Sequence, residues 1–170
     1  MSESAKPVFM VDAYSEPVLV RIEGRASFQN SACLKDFLSE MIAQGKAAFA
    51  LDLQGCTGMD STFLGTLAGA ALELRKKAAG KGSIVLMRLG QRNLELVRNL
   101  GLHRLLQVDS GDFSLGFEGG AKPLASSCTT ELDSARLVLQ AHENLVEADE
   151  ANRAKFQDVL VFLKNRVDSR

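Results

Sequence analysis

Phe49-Ala50-Leu51-Asp52-Leu53, followed after a turn by Met59-Asp60-Ser61-Thr62-Phe63-Leu64-Gly65, is the stretch that decides the fold. Ala47 to Leu53 is almost wholly apolar and shows no polar face, which suits a central strand covered on both sides. Gln54-Gly55-Cys56-Thr57-Gly58 reads as a turn-rich loop. Beyond Met59-Asp60-Ser61 the apolar spacing changes. Leu64, Leu67, Ala68, Ala71 and Leu72 recur with a helical period. Arg75, Lys76 and Lys77 lie in the last turns, where cations complement the helix dipole. A strand thus passes through a short loop into a helix whose start carries an acid and a hydroxyl.

The flanking sequence repeats this grammar. Upstream, Pro17 to Gly24 has branched residues and a Gly stop and reads as a strand, with Val8 to Val11 as a partner before it. Asn30-Ser31 opens a helix with Leu34, Phe37, Leu38, Met41 and Ile42 on one stripe, closed by Gly45. Downstream, Ser83-Ile84-Val85-Leu86-Met87 is a second buried strand, Gln91 to Asn99 a short helix, and Leu105 to Val108 a last strand. The order is β(β)αβαβαβ. Strands alternating with helices imply an α/β layer in which helices pack on a sheet.

Residues 109–128 are rich in Gly, Ser and Asp and read as a connection, with one short extended piece at Phe113 to Phe117. The tail differs. Thr130-Glu131-Leu132-Asp133 resembles a capping box, and no Gly or Pro follows as far as Val167. Leu132, Ala135, Leu139, His142, Leu145, Val146, Phe156, Val159, Leu160, Leu163 and Val167 hold a helical stripe, interrupted at Glu147 to Asn152. This is one long helix or two shorter ones. Such a stripe must be buried, on its own domain, in a helical dimer contact or on a partner.

Composition narrows the function classes. The 170 residues are 46% hydrophobic and 24% charged, as in a globular protein rather than a disordered chain. Twenty basic and 21 acidic residues leave a charge of −1, which argues against nucleic-acid binding through a basic surface. No apolar run reaches the ~18 residues of a membrane span, and no secretory signal is visible at the N-terminus. The three cysteines, Cys33, Cys56 and Cys128, form no CxxC pair; reduced thiols in a cytoplasmic protein are expected. His103 and His142 share no motif with a serine, and GxSxG, HExxH and GxGxxG are absent. Gly80-Lys81-Gly82-Ser83 precedes a strand and reads as a turn, not a phosphate loop. No catalytic residue, metal site or cofactor is expected.

Ser61 stands out by position. The plain reading is that Asp60 or Ser61 caps the helix. The functional reading builds on it. A helix start favours an anion, so a phosphate on Ser61 would cost the helix little. It would nonetheless put about −1.5 to −2 charges on a docking surface and expel a protein partner.

The two quoted segments, with Ile22-Glu23-Gly24-Arg25, Ser83-Ile84-Val85-Leu86-Met87 and Asn99-Leu100-Gly101-Leu102, resemble the STAS domains of anti-sigma factor antagonists over roughly residues 8–110. The resemblance implies an α/β fold with a mixed sheet of four to five strands and helices packed against it. A STAS domain at 1–115, a linker at 116–128 and a helical extension at 129–170 then follow as the expected organisation. It implies a binding module in transcription regulation rather than an enzyme. Unphosphorylated, the antagonist binds an anti-sigma factor that is a serine kinase; that kinase, using its own ATP and magnesium, phosphorylates Ser61, and a phosphatase resets the system. Asp60, Ser61, Thr62 and Phe63 would form the partner contact, with Asp60 orienting the loop. Two departures mark this chain: Phe63 stands where the family usually has Gly, and the tail has no counterpart in a minimal antagonist. A STAS subunit of a lipid-transport or sensory assembly, binding through the same loop without phosphorylation, remains the alternative, and a homodimer through the C-terminal helices stays open.

Overall fold

The computed structural model describes residues 8–77, 81–109, 121–124 and 130–168. The chain begins with β1 (Phe9–Asp12) and β2 (Val18–Ile22), an antiparallel pair with Val11 opposite Val20. β3 (Gly24–Ala26) leads to α1 (Ser31–Ala43), then β4 (Ala48–Asp52), β5 (Cys56–Met59) and α2 (Ser61–Lys77). β6 (Ser83–Met87), α3 (Gln91–Asn99), a 3-10 turn at Leu102–Arg104 and β7 (Gln107–Asp109) complete the alternating part. β8 (Lys122–Pro123), α4 (Glu131–Ala148) and α5 (Asn152–Asp168) follow.

The main sheet has the order β7-β6-β4-β2-β1-β8. β2, β4, β6 and β7 run parallel; β1 and β8 are antiparallel to their neighbours. It is a mixed sheet of six strands. The sixth is β8, in the stretch that the sequence reads as connection. β3 and β5 form a separate parallel pair, Ala26 opposite Met59, where a simple loop was expected between β4 and α2.

Alternation along the strands sorts the core. Val18, Val20 and Ile22, Phe49 and Leu51, and Ile84 and Leu86 share one face and join a cluster with Leu34, Leu38, Leu64, Leu67 and Val97 from the helices. Leu19, Ala50, Val85 and Met87 form a smaller cluster on the other face. The period-two arrangement of side chains requires this division. The extended piece expected at Phe113 to Phe117 lies outside the described residues.

The tail forms two helices. Thr130 caps α4, its hydroxyl accepting from the Asp133 amide at 3.0 Å. The break falls at 149–151, within the polar interruption of the stripe. Asn152, fully buried, bridges it: Nδ2 donates to the Leu145 carbonyl at 2.8 Å and to the Leu100 carbonyl at 2.9 Å. The tail packs back on the body of the molecule, with Leu145 part of the main core.

Candidate functional site at the start of helix α2

The site is built on a corner. β5 ends at Met59 and α2 begins at Ser61, so Asp60 is the residue between strand and helix. The Asp60 amide donates to the Ala26 carbonyl at 3.2 Å, extending the β3–β5 ladder. Its carboxylate then takes two amides. Oδ1 accepts from Phe63 at 2.9 Å, the usual geometry of an N-cap on the third helical residue, and Oδ2 accepts from Phe28 at 2.8 Å. Asp60 therefore caps α2 and ties the loop before α1 to the same point. Of the two capping candidates in the sequence, the acid is the cap, which leaves the Ser61 hydroxyl for other use.

That hydroxyl meets His142. Ser61 Oγ lies 2.8 Å from His142 Nε2, across 81 residues of chain. The other ring nitrogen, Nδ1, lies 2.7 Å from the Val138 carbonyl. A carbonyl only accepts, so Nδ1 carries the hydrogen; in the neutral ring, Nε2 is then the acceptor and the Ser61 hydroxyl donates to it. His142 is only 4% exposed and its ring packs edge-on against Phe156, with centroids 4.8 Å apart. The sequence places His142 on the tail's apolar stripe but has no signal that pairs it with Ser61.

The remaining residues of the expected contact face inward. Thr62 is 4% exposed. Phe63 is fully buried, its ring stacked on Phe9 at 6.3 Å and 9° between planes. In this structure both point into the core, and Phe63 fills space between α2 and β1. Asp60 and Ser61 are partly exposed.

Ser61 also borders an open cleft of about 500 Å³, with Leu64, Leu96, Leu100 and Phe156 on its apolar walls and Lys155 at its rim. Lys155 donates to the Asn99 carbonyl at the end of α3. The cleft lies where α2, α3 and α5 meet. Next to the cleft, α4 covers α2. A Cβ added at Gly65 would stand 2.2 Å from the Ala141 carbonyl oxygen, and one at Gly69 would stand 2.4 Å from Asn144 Nδ2. Asn144 Nδ2 donates to the Gly65 carbonyl at 3.1 Å. Ser61, Gly65 and Gly69 are spaced by four and share one face, so α4 runs along the face that Ser61 heads.

Cys33 and Cys56 are free and buried, and burial pushes both thiols up from their ordinary value. Among the described residues no group of His, Cys, Asp and Glu could hold a metal ion, and no helix is long and apolar enough to cross a membrane.

A mixed sheet whose strand-to-helix corner presents Ser61 beside a capping Asp60 fits a STAS-type domain. The chain belongs to that family: the family model described as "Mlab, STAS domain" matches residues 9–107, more than half of the chain. No curated protein matches it. Among solved structures, the anti-sigma factor antagonist SpoIIAA in its unphosphorylated form is similar at 18% identity, covering 53% of this chain and 81% of that one, with a TM-score of 0.45. The Bacillus cell fate determinant SpoIIAA in the phosphorylated form gives 19% identity, 60% and 91% coverage and a TM-score of 0.49. The protein TM1081, solved by NMR, gives 14% identity, 65% and 86% coverage and a TM-score of 0.46. At these values none of the three likenesses assigns a role to a residue of this chain.

Proposed function

We propose that this chain is a cytoplasmic anti-sigma factor antagonist. Its STAS domain docks a serine-kinase anti-sigma factor through the β5–α2 corner, and phosphate on Ser61 ends the contact. The observation that carries this reading is the division of labour at the corner. Asp60 satisfies the helix start by itself, so the Ser61 hydroxyl is not needed as a cap and stands, partly exposed, beside an open apolar cleft. The Asp60-Ser61-Thr62 run followed by Leu64-Gly65 supports it as a motif. A phosphate there would add about −1.5 to −2 charges beside Leu64, Leu96 and Leu100, and a docked apolar side chain would be expelled by desolvation and repulsion. The chain itself performs no chemistry in this scheme; the kinase supplies ATP and magnesium, and a phosphatase restores the serine.

A second reading draws on the Ser61–His142 hydrogen bond. A hydroxyl already committed to a buried imidazole suits a corner that binds constitutively, as a STAS interaction subunit of a lipid-transport or sensory assembly. One experiment separates them. The chain is recovered from its native cell with its partners, and the Asp60-to-Thr66 peptide is examined by mass spectrometry. Phosphate on Ser61 together with a kinase-type partner supports the first reading. A stable partner with Ser61 unmodified under all growth conditions supports the second.

A further inference from the structure

The tail does more than finish the core. α4 lies along the very face of α2 that Ser61 begins, and it meets that face with small groups. The Ala141 backbone sits over Gly65 and the Asn144 side chain over Gly69. Two polar contacts pin α4 to α2, His142 on Ser61 and Asn144 on the Gly65 carbonyl, and Asn152 and Lys155 tie the tail to the Leu100 and Asn99 carbonyls at the end of α3. Few large apolar side chains are committed to this contact; Leu145 is the main one that joins the central core. Of the rest of the tail's apolar surface, Ala135, Ala141, Val146 and Leu163 are buried, while Val161 and Phe162 on α5 are 56% and 65% exposed. A segment whose only task was to enlarge the core would bury such residues first.

We propose that α4 and α5 form a reversible cover over the Ser61 face of α2. Closed, the cover holds the serine hydroxyl on His142 and occupies the helix face that Ser61 heads, leaving only the cleft side of Ser61 open; a protein that grips that helix face as well reaches it only when the cover lifts. The inference rests on the reading that the start of α2 is the docking surface, and it adds an intramolecular competitor for it. Phosphate alone does not lift the cover. It removes the Ser61 pin but leaves Asn144 and the Gly65–Ala141 contact in place. The partner and the tail therefore compete for one surface, and the competition sets how much of the protein is available.

Amide hydrogen exchange on the full chain tests this without any partner. The α4 amides are expected to exchange through an opening that leaves β4 and β6 protected. Gly65→Ala, whose added methyl would collide with the Ala141 backbone, should speed α4 exchange by at least about tenfold while β4 and β6 stay as they were. If Gly65→Ala does not fold, the double variant His142→Ala/Asn144→Ala removes both pins instead. Loss of protection in α4, β4 and β6 together, in either variant, overturns the cover. A second readout uses Ser61→Cys in a Cys128→Ser background and a polyethylene-glycol maleimide of several kilodaltons as a protein-sized probe. Adding Gly65→Ala should raise the labelling rate of the Ser61→Cys thiol by at least about tenfold; equal rates overturn the proposal. Neither readout depends on a kinase. Absence of phosphate on Ser61 in the cell would remove the phosphorylation reading and leave the cover standing.

Discussion

At the corner between β5 and α2, three of four consecutive residues have three unrelated tasks. Asp60 caps, Ser61 bonds to His142, and Phe63 packs on Phe9. Phe63 explains how a large residue is tolerated so close to a helix start: the third helical position turns inward, and β1 offers an aromatic surface at a ring distance that stacking favours. Phe63→Ala is expected to cost ~3–5 kcal/mol in urea unfolding, as a large buried ring does when removed. A change confined to the surface would cost far less. For Ser61 the expectations divide by chemistry. Ser61→Ala leaves the buried Nε2 of His142 without its donor, about 1–3 kcal/mol of stability, and keeps partner binding. Ser61→Asp should weaken partner binding, measured by titration calorimetry with the purified partner; an unchanged affinity would contradict the charge switch.

The elements were legible to different degrees. β4, β6, α1, α2 and α3 each carry a long apolar pattern of one period, and they form where that pattern lies. β5 was hidden because Gln54-Gly55-Cys56-Thr57-Gly58 has turn composition, and only the pairing with β3 makes part of it a strand. β8 was hidden for another reason: two residues carry no periodicity, and the edge of β1 supplies the ladder. The tail break was legible because polar residues interrupt the stripe, but its bridge was not. Asn152 reaches a carbonyl at the end of α3 as well as one in α4; the Leu145 carbonyl keeps the Asp149 amide, so Asn152→Ala should cost ~1–3 kcal/mol chiefly through the Leu100 carbonyl it gives up. Leu145→Ala should cost ~2–5 kcal/mol if α4 belongs to the folded core as its burial indicates, and less than ~1 kcal/mol only if the helix were an appendage.

For the whole molecule, the two buried thiols give a pH dependence with a definite sign. Desolvation is the main cause that raises both Cys33 and Cys56 above the ordinary 9.0. The folded state thus prefers the neutral thiol, so their contribution to stability is intact below pH 9 and is lost as pH rises through the higher folded values. Urea midpoints of the parent chain should fall more steeply above that pH than those of Cys33→Ala/Cys56→Ala; parallel curves would show that the thiols play no part. The same burial predicts that neither thiol reacts with a small alkylating reagent until the chain opens.

By itself the sequence determined the alternation of strands and helices, the place of the helix start with Asp60 and Ser61, and the polar interruption at which the tail could break. Each of these is written in local period or in residues a few positions apart. Only the tertiary structure decided that Phe63 turns inward, that Gly65 and Gly69 make room for a second helix, and that His142 takes the hydroxyl of a serine 81 positions away. Local patterns fix how a segment is shaped and which of its faces is apolar. Which segment covers that face depends on contacts between distant parts of the chain, and no spacing in the sequence records them.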